Sequence, residues 1–309
     1  MEKFHIALTT RWNAERHTRG EDMIEEILET GFDRVELGYD TSLDLVPGVQ
    51  EMVRRNEVNV ESVHNYCPVP IVTQRGHPEI FTLADPDSRV RELAVKHTSR
   101  TIRFAAGIGA RIVVTHCGNV RMPRYSRSLV DLCEQGQRFT PEYEKTKLKL
   151  LSTREKKSRR QLQYLYQGLE QLLPVLIENN MVLAMENLPD WEAIPVETEM
   201  EQIIRDFSSQ HIKYWHDIGH AQIRENLGLI NHERWLERLH SDMAGMHIHD
   251  VMPPRQDHLM PSEGKIEFPR LKRFGTLNIV RVIEPTPETT REDIQRGHRY
   301  INEVWGKGK

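Results

Sequence analysis

Along the chain, short apolar and β-branched runs alternate with longer amphipathic stretches, the pattern of repeated strand-helix units built around a parallel sheet. Eight runs read as strands: residues 4–10, 34–39, 59–66, 110–116, 181–187, 212–217, 244–250 and 278–284. Two of the helices between them carry boundary signals. In the first, Ile24, Ile27 and Leu28 recur at helical spacing behind acids in the opening turn, and Gly31 stands where a C-terminal cap belongs. In the second, Asp85 is placed to cap the N-terminus with Pro86 at the first helical position. Val90, Leu93, Ala94, His97, Thr101, Ile102 and Ala105 then form one stripe for packing on the sheet.

Eight such units in 309 residues fit an α/β fold, a single-domain (β/α)8 TIM barrel, for which roughly 250 residues is typical. A doubly wound open sheet is the alternative, but no glycine-rich phosphate loop follows the first strand. One unit is oversized. Residues 118–180 form an enlarged fourth loop and helix that includes the basic stretch KTKLKLLSTREKKSRR (145–160). Leu162, Leu165, Leu169, Leu172 and Leu173 continue an amphipathic helix into the next strand, so a solvated helix face is the simpler reading of that stretch. A lid or anion-binding arm over the barrel mouth is the alternative.

Composition narrows the class. Apolar residues at 38% and charged residues at 28% describe a globular chain able to bury a sizeable core. The formal net charge of -4 supplies no global basic field, so neither nucleic acid nor an anionic membrane is an expected partner. No apolar run of 18 residues occurs and the opening residues lack a signal-peptide core, from which a cytoplasmic location is expected. Cys67, Cys117 and Cys133 are odd in number and far apart, which fits free thiols. The 15 histidines are the informative count, because several cluster with acids in HDIGH, HIHD and QDH.

In a barrel of this kind the reactive face lies at the C-terminal ends of the strands. Those ends here carry Glu36, His64, His116, Glu186, Asp217 with His220 just beyond, His247 with His249, and Glu284. A lone strand histidine is more often a satisfied core residue, but recurrence at successive strand ends points to a metal site. Glu186, Asp217, His247 and Glu284 would bring three carboxylates and one imidazole to one divalent ion, a mostly oxygen shell suited to Mn²⁺, Mg²⁺, Co²⁺ or Zn²⁺. No organic cofactor is expected. Because strand side chains alternate, His247 and His249 point the same way, so one can ligate while the other addresses substrate; Asp250 points opposite. Trp12 and Tyr66, which follow strands, are the aromatics chosen to wall a substrate pocket, ahead of Trp191 and Trp215. Lys265 reads more readily as a solvated loop lysine than as a phosphate ligand.

Five segments, MENLPD (185–190), WHDIGHA (215–221), GMHIHDV (245–251), DHLMPSEGKIEF (257–268) and VIEP (282–285), occur in order. Together they resemble the xylose isomerase-like barrel superfamily over essentially the whole chain, a group holding sugar isomerases and epimerases and also the endonuclease IV enzymes. The sugar branch implies that Glu186, Asp217, His247 and Glu284 bind one divalent ion and that Glu186 and Glu284 form the acid/base pair. They would transfer a proton next to a metal-held carbonyl of a small sugar or polyol derivative, with a dehydratase variant close by. His64, His116, His220, His249 and His258 are then expected around the substrate.

The endonuclease IV branch implies more ligands. His64, His116 and Glu186 are similar to its first zinc group, Glu186, Asp217, His247 and Glu284 to its second, and His220 and His258 to part of its third. Gln256 departs from that pattern, which has an aspartate two residues before the histidine; this counts against a three-zinc site and leaves a two-zinc site open. A zinc phosphodiesterase on abasic DNA is therefore the alternative reading. Arg281, three residues before Glu284, faces away and is not assigned to the site. Homo-oligomerisation is left open.

Overall fold

Runs such as Ile112–Thr115, buried at every position, form strands covered on both faces, as a barrel requires. The structure is a computed structural model that describes residues 4–306. Its eight barrel strands are β1 (Ala7–Thr9), β2 (Arg34–Leu37), β3 (Asn59–His64), β4 (Ile112–Thr115), β5 (Val182–Glu186), β6 (Ile212–Asp217), β7 (Met243–Ile248) and β8 (Val280–Ile283). Each lies within one of the eight runs read from the sequence, apart from Met243 at the start of β7. All pair in parallel with their sequence neighbours, and β1 closes the barrel on β8 through Ala7 opposite Val282 and Leu8 opposite Ile283. A short antiparallel hairpin, Asp250–Met252 with Gln256–Leu259, follows β7 at the mouth.

Two register shifts bear on the site. One falls between Val35 and Glu36 and sets Glu36 opposite Ser62; the other falls between Tyr214 and Trp215 and sets Asp217 opposite His247. Shifts of this kind re-aim side chains beside active sites. Gly245 admits the Trp215 ring, since a Cβ there would sit 2.2 Å from it. The ring packs edge-on to His247 with centroids 5.0 Å apart. Ala7, Ile112, Val114, Ala184, Trp215 and Val282 fill the barrel interior, while the larger core lies between strands and helices.

The helices are α1 (Gly20–Glu29), α2 (Val46–Arg54), α3 (Ser88–Gly107), α4 (Tyr125–Glu134), α5 (Pro141–Glu178), α6 (Glu197–Phe207), α7 (Ile218–Asn226), α8 (His232–Leu239), α9 (Phe268–Gly275) and α10 (Arg291–Trp305). α1 ends where Gly31 takes φ +95°, as its sequence position suggested. The cap of α3 is Asp87 rather than Asp85. The Asp87 carboxylate accepts the Arg89 N–H at 2.9 Å, whereas Asp85 is used up in the turn before it, accepting the Asp87 N–H at 2.8 Å. Ala94, His97, Thr101, Ile102 and Ala105 are buried, while Val90 and Leu93 near the start of α3 are half-buried.

The enlarged fourth unit contains α4 and the 38-residue α5, about 57 Å long at the usual rise. Leu165, Leu169 and Leu172 are buried, and Leu162 and Leu173 half-buried. Lys145, Lys149, Lys156, Lys157, Arg159 and Arg160 are exposed, so most of the basic stretch is a solvated face. Among the described residues no helix is long and apolar enough to cross a membrane. Arg281 lies at the opposite end of the barrel from the strand C-termini, its guanidinium donating to the carbonyls of Gly275, Leu277 and Ile279, which precede β8.

Candidate metal and catalytic site

Glu186, the last residue of β5, is the hub of the barrel mouth. Its Oε2 lies 3.1 Å from His64 Nε2 and 3.2 Å from His116 Nε2. Its Oε1 lies 3.4 Å from both His247 Nδ1 and His220 Nδ1. His247 Nδ1 is also 3.3 Å from Glu284 Oε2 and 3.7 Å from Asp217 Oδ2. Six consecutive strands, β3 to β8, therefore send one side chain each from their C-terminal ends into a single cluster.

The protons on two of these rings are set from behind. His64 Nδ1 donates to the Asn65 carbonyl at 3.1 Å, and His247 Nε2 donates to Glu36 Oε1 at 3.0 Å. The other Glu36 oxygen accepts the Ser62 hydroxyl at 2.7 Å. In the neutral tautomer this turns the lone pairs of His64 Nε2 and His247 Nδ1 toward carboxylate oxygens, an arrangement that repels unless a cation lies between. The titration behaviour says the same. Burial works against charge, yet Glu284, Glu36 and Glu186 hold the His247 imidazole well above its ordinary range. Burial likewise opposes ionisation of Glu186 and Asp217, but the surrounding imidazoles hold both well below the carboxylate range. Glu186 pushes the half-buried His116 up to about 9 against the cost of desolvation. Such a cluster attracts positive charge, and its carboxylate-imidazole set suits a divalent ion.

The ligand-type atoms fall into four groups, each within 4.8 Å: His64, His116 and Glu186; Glu186, Asp217 and His247; Asp217, His220 and His249; and His249, His258 and Glu284. Asp217 also caps α7, accepting the His220 N–H at 2.6 Å. The Asn187 side chain fixes its backbone from both sides, accepting the Asp217 N–H at 2.8 Å and donating to its carbonyl at 2.9 Å.

A cavity of about 280 Å³ opens above this cluster. Glu186, Glu284, His64, His116, His220 and His258 line it, while Asp217 and His247 are buried beneath. His249 does not reach it. Its Nε2 donates to Asp217 at 3.0 Å and its Nδ1 accepts the His258 backbone N–H at 2.9 Å, so both ring nitrogens are engaged in bracing Asp217 and the hairpin. Trp12 and Tyr66 are also buried away from the cavity. The Trp12 indole donates to the Thr289 carbonyl at 2.8 Å and the Tyr66 hydroxyl to the Phe81 carbonyl at 2.7 Å.

The aromatic wall of the cavity is Tyr39, two residues past β2, with the Arg11 guanidinium 4.9 Å from its ring centroid. Arg11 sits in the turn after β1 and donates to Glu284 Oε1 at 2.8 Å. Glu79, Asn119, His77, Arg124 and the ion pair of Arg255 with Asp190 form the rest of the polar rim. Sequence reasoning passed over Arg11 and Tyr39, although both follow strand C-termini, the position that singled out the acids and histidines. Lys265 is exposed and away from the cavity.

Among proteins of similar sequence, the uncharacterised protein MJ1614 of Methanocaldococcus jannaschii is 23% identical over 267 residues, covering 84% of this chain and 83% of that protein. Among solved structures, a D-tagatose 3-epimerase-like protein superposes with a TM-score of 0.68 at 18% identity, covering 97% of this chain and 96% of the other. The 3-keto-D-glucoside 4-epimerase YcjR of E. coli gives 0.69 at 14% identity, with 97% and 100% covered. An L-ribulose 3-epimerase gives 0.70 at 12% identity, with 97% and 94% covered. At these identities the likeness establishes a shared fold. The xylose isomerase-like TIM barrel family matches residues 24–274, the greater part of the sequence, and the chain belongs to that family.

Proposed function

We propose that the protein is a divalent-metal-dependent sugar isomerase or epimerase, transferring a proton beside the carbonyl of a small sugar, sugar acid or polyol derivative. The observation that carries this reading is the pair Glu186 and Glu284. The two carboxylates reach one cavity from β5 and β8, and both approach the same nitrogen of His247. A cavity of about 280 Å³ suits a small sugar, and solved relatives of the same fold are named as sugar epimerases.

Glu186, Asp217, His247 and Glu284 would hold the ion, which when bound supplies Lewis-acid polarisation of substrate oxygens. Glu186 and Glu284 are the groups to remove a proton from one carbon and return it. His64, His116, His220 and His258 line the cavity as hydrogen-bonding partners for hydroxyls.

The test is solvent deuterium exchange. The purified protein, with its metal content measured, is incubated in D₂O with a panel of ketoses, aldoses, sugar acids and inositol derivatives. Deuterium should enter the carbon beside a carbonyl, stop on chelation and resume with added Mn²⁺, Mg²⁺, Co²⁺ or Zn²⁺. Metal-loaded protein that exchanges nothing across the panel contradicts the reading.

A second reading, a zinc phosphodiesterase acting on abasic DNA, draws on the group of His64, His116 and Glu186, a further cation position sharing Glu186. Two zinc ions per chain together with cleavage of an abasic oligonucleotide would decide for it.

A further inference from the structure

The group formed by His249, His258 and Glu284 has ligand-type atoms within 4.8 Å of one another. It differs from the others in already having a cation. Arg11 Nη1 lies 2.8 Å from Glu284 Oε1 and 3.2 Å from His258 Nε2. The third member, His249, spends its Nε2 on Asp217 and its Nδ1 on the His258 backbone. We infer that Arg11 is a resident cation that takes the place of a metal ion between Glu284 and His258, and so limits the number of ions the mouth can hold.

Several features fit a fixed guanidinium better than an exchangeable ion. Arginine stays protonated at any working pH, and its planar donors make charge-assisted bonds to a carboxylate. The Tyr39 ring backs it at 4.9 Å. A guanidinium can only donate, so at 3.2 Å His258 Nε2 is the acceptor in this pair. Gln256, a neutral and exposed residue, supplies no carboxylate to this side of the mouth. Among the described residues Arg11 Nε and Nη2 have no hydrogen-bond partner, and the side chain lines the cavity. The consequence for recognition is a hydrogen-bond donor in place of a Lewis acid on that wall, offered to a substrate oxygen.

The inference rests on the reading that Glu186, Asp217, His247 and Glu284 hold an ion, and the experiment separates the two. Bound Zn²⁺ and Mn²⁺ per chain are measured by elemental analysis and titration calorimetry on wild-type, Arg11→Lys, Arg11→Ala and His258→Gln proteins, with circular dichroism as a check on folding. Arg11→Ala should bind one more ion than wild type, and the double variant Arg11→Ala/His258→Gln should lose it again. Arg11→Lys and His258→Gln should keep the wild-type number. Equal stoichiometry in folded Arg11→Ala and wild type overturns the inference. So does loss of one ion in His258→Gln, which decides the matter even if Arg11→Ala does not fold. Wild type that binds no ion would instead remove the functional reading.

Discussion

Glu36 accepts a hydrogen bond from His247 Nε2 at 3.0 Å, and this contact between β2 and β7 fixes which nitrogen of His247 faces the carboxylates. A residue that never reaches the cavity thereby controls the electronics of one that underlies it. Partners of this type raise ligand basicity and lock ring orientation.

Glu36→Gln tests that control. An amide offers one acceptor oxygen where Glu36 serves two donors, His247 and the Ser62 hydroxyl. Metal affinity by calorimetry should fall about 10- to 100-fold with the fold retained. Unchanged affinity would show that the contact is incidental.

Glu284→Gln addresses the chemistry. Glu284 is held well below the carboxylate range because His247 and Arg11 outweigh the effect of its burial. Removing its charge should lower turnover about 10²- to 10⁴-fold and weaken metal binding, with circular dichroism unchanged. A fully active variant would sink the assignment of Glu284.

Asp250 is expected to matter for structure alone. Its carboxylate accepts four backbone N–H groups, from Val251, Ser262, Gly264 and Ile266, at 2.8 to 3.1 Å. Asp250→Ala should cost about 3 kcal/mol or more in denaturant unfolding, since hydrogen bonds to a buried charge are among the stronger ones. Metal stoichiometry should hold. A folded Asp250→Ala protein without metal would contradict this division of labour.

His216 and His232 are buried with their Nε2 atoms 2.9 Å apart, and the chain continues through the Tyr214 hydroxyl to Asn187, which holds Asp217. Burial drives His232 down to about 4 in the folded state. Between pH 6.5 and 4 the unfolded chain therefore binds a proton that the folded chain refuses. The stability present above pH 6.5 is lost as the pH falls through that window, by about 3 kcal/mol for this group. Urea unfolding of wild type and His232→Gln at pH 7.5 and 5 checks it. The variant should lose less stability than wild type on acidification, and parallel losses would refute the account.

The strands were legible because parallel strands covered on both faces read as nearly unbroken apolar runs, Ile112 to Thr115 being the clearest. The clustering of Glu186, Asp217, His247 and Glu284 followed from strand order alone. Which side chains face the cavity was harder to read. His249 shares a face with His247 in an ideal strand, but β7 stops at Ile248 and the chain turns into the hairpin. Trp12 and Tyr66 follow strands, yet each ring is drawn inward by a carbonyl that its polar atom satisfies. Arg11 and Tyr39 gain their places through loop geometry, which no local periodicity encodes.

Arg154, in the largely exposed basic stretch, reaches inward and donates to the carbonyls of Trp191 and Ala193 and to Glu199. The loop it grips is continuous with Leu188, Pro189 and Asp190, which wall the cavity. The long helix thus acts as an external splint on the segment that follows Glu186. Changes on the outside of the protein, far from any reacting atom, could reshape the space offered to a substrate without touching a single residue of the charged cluster.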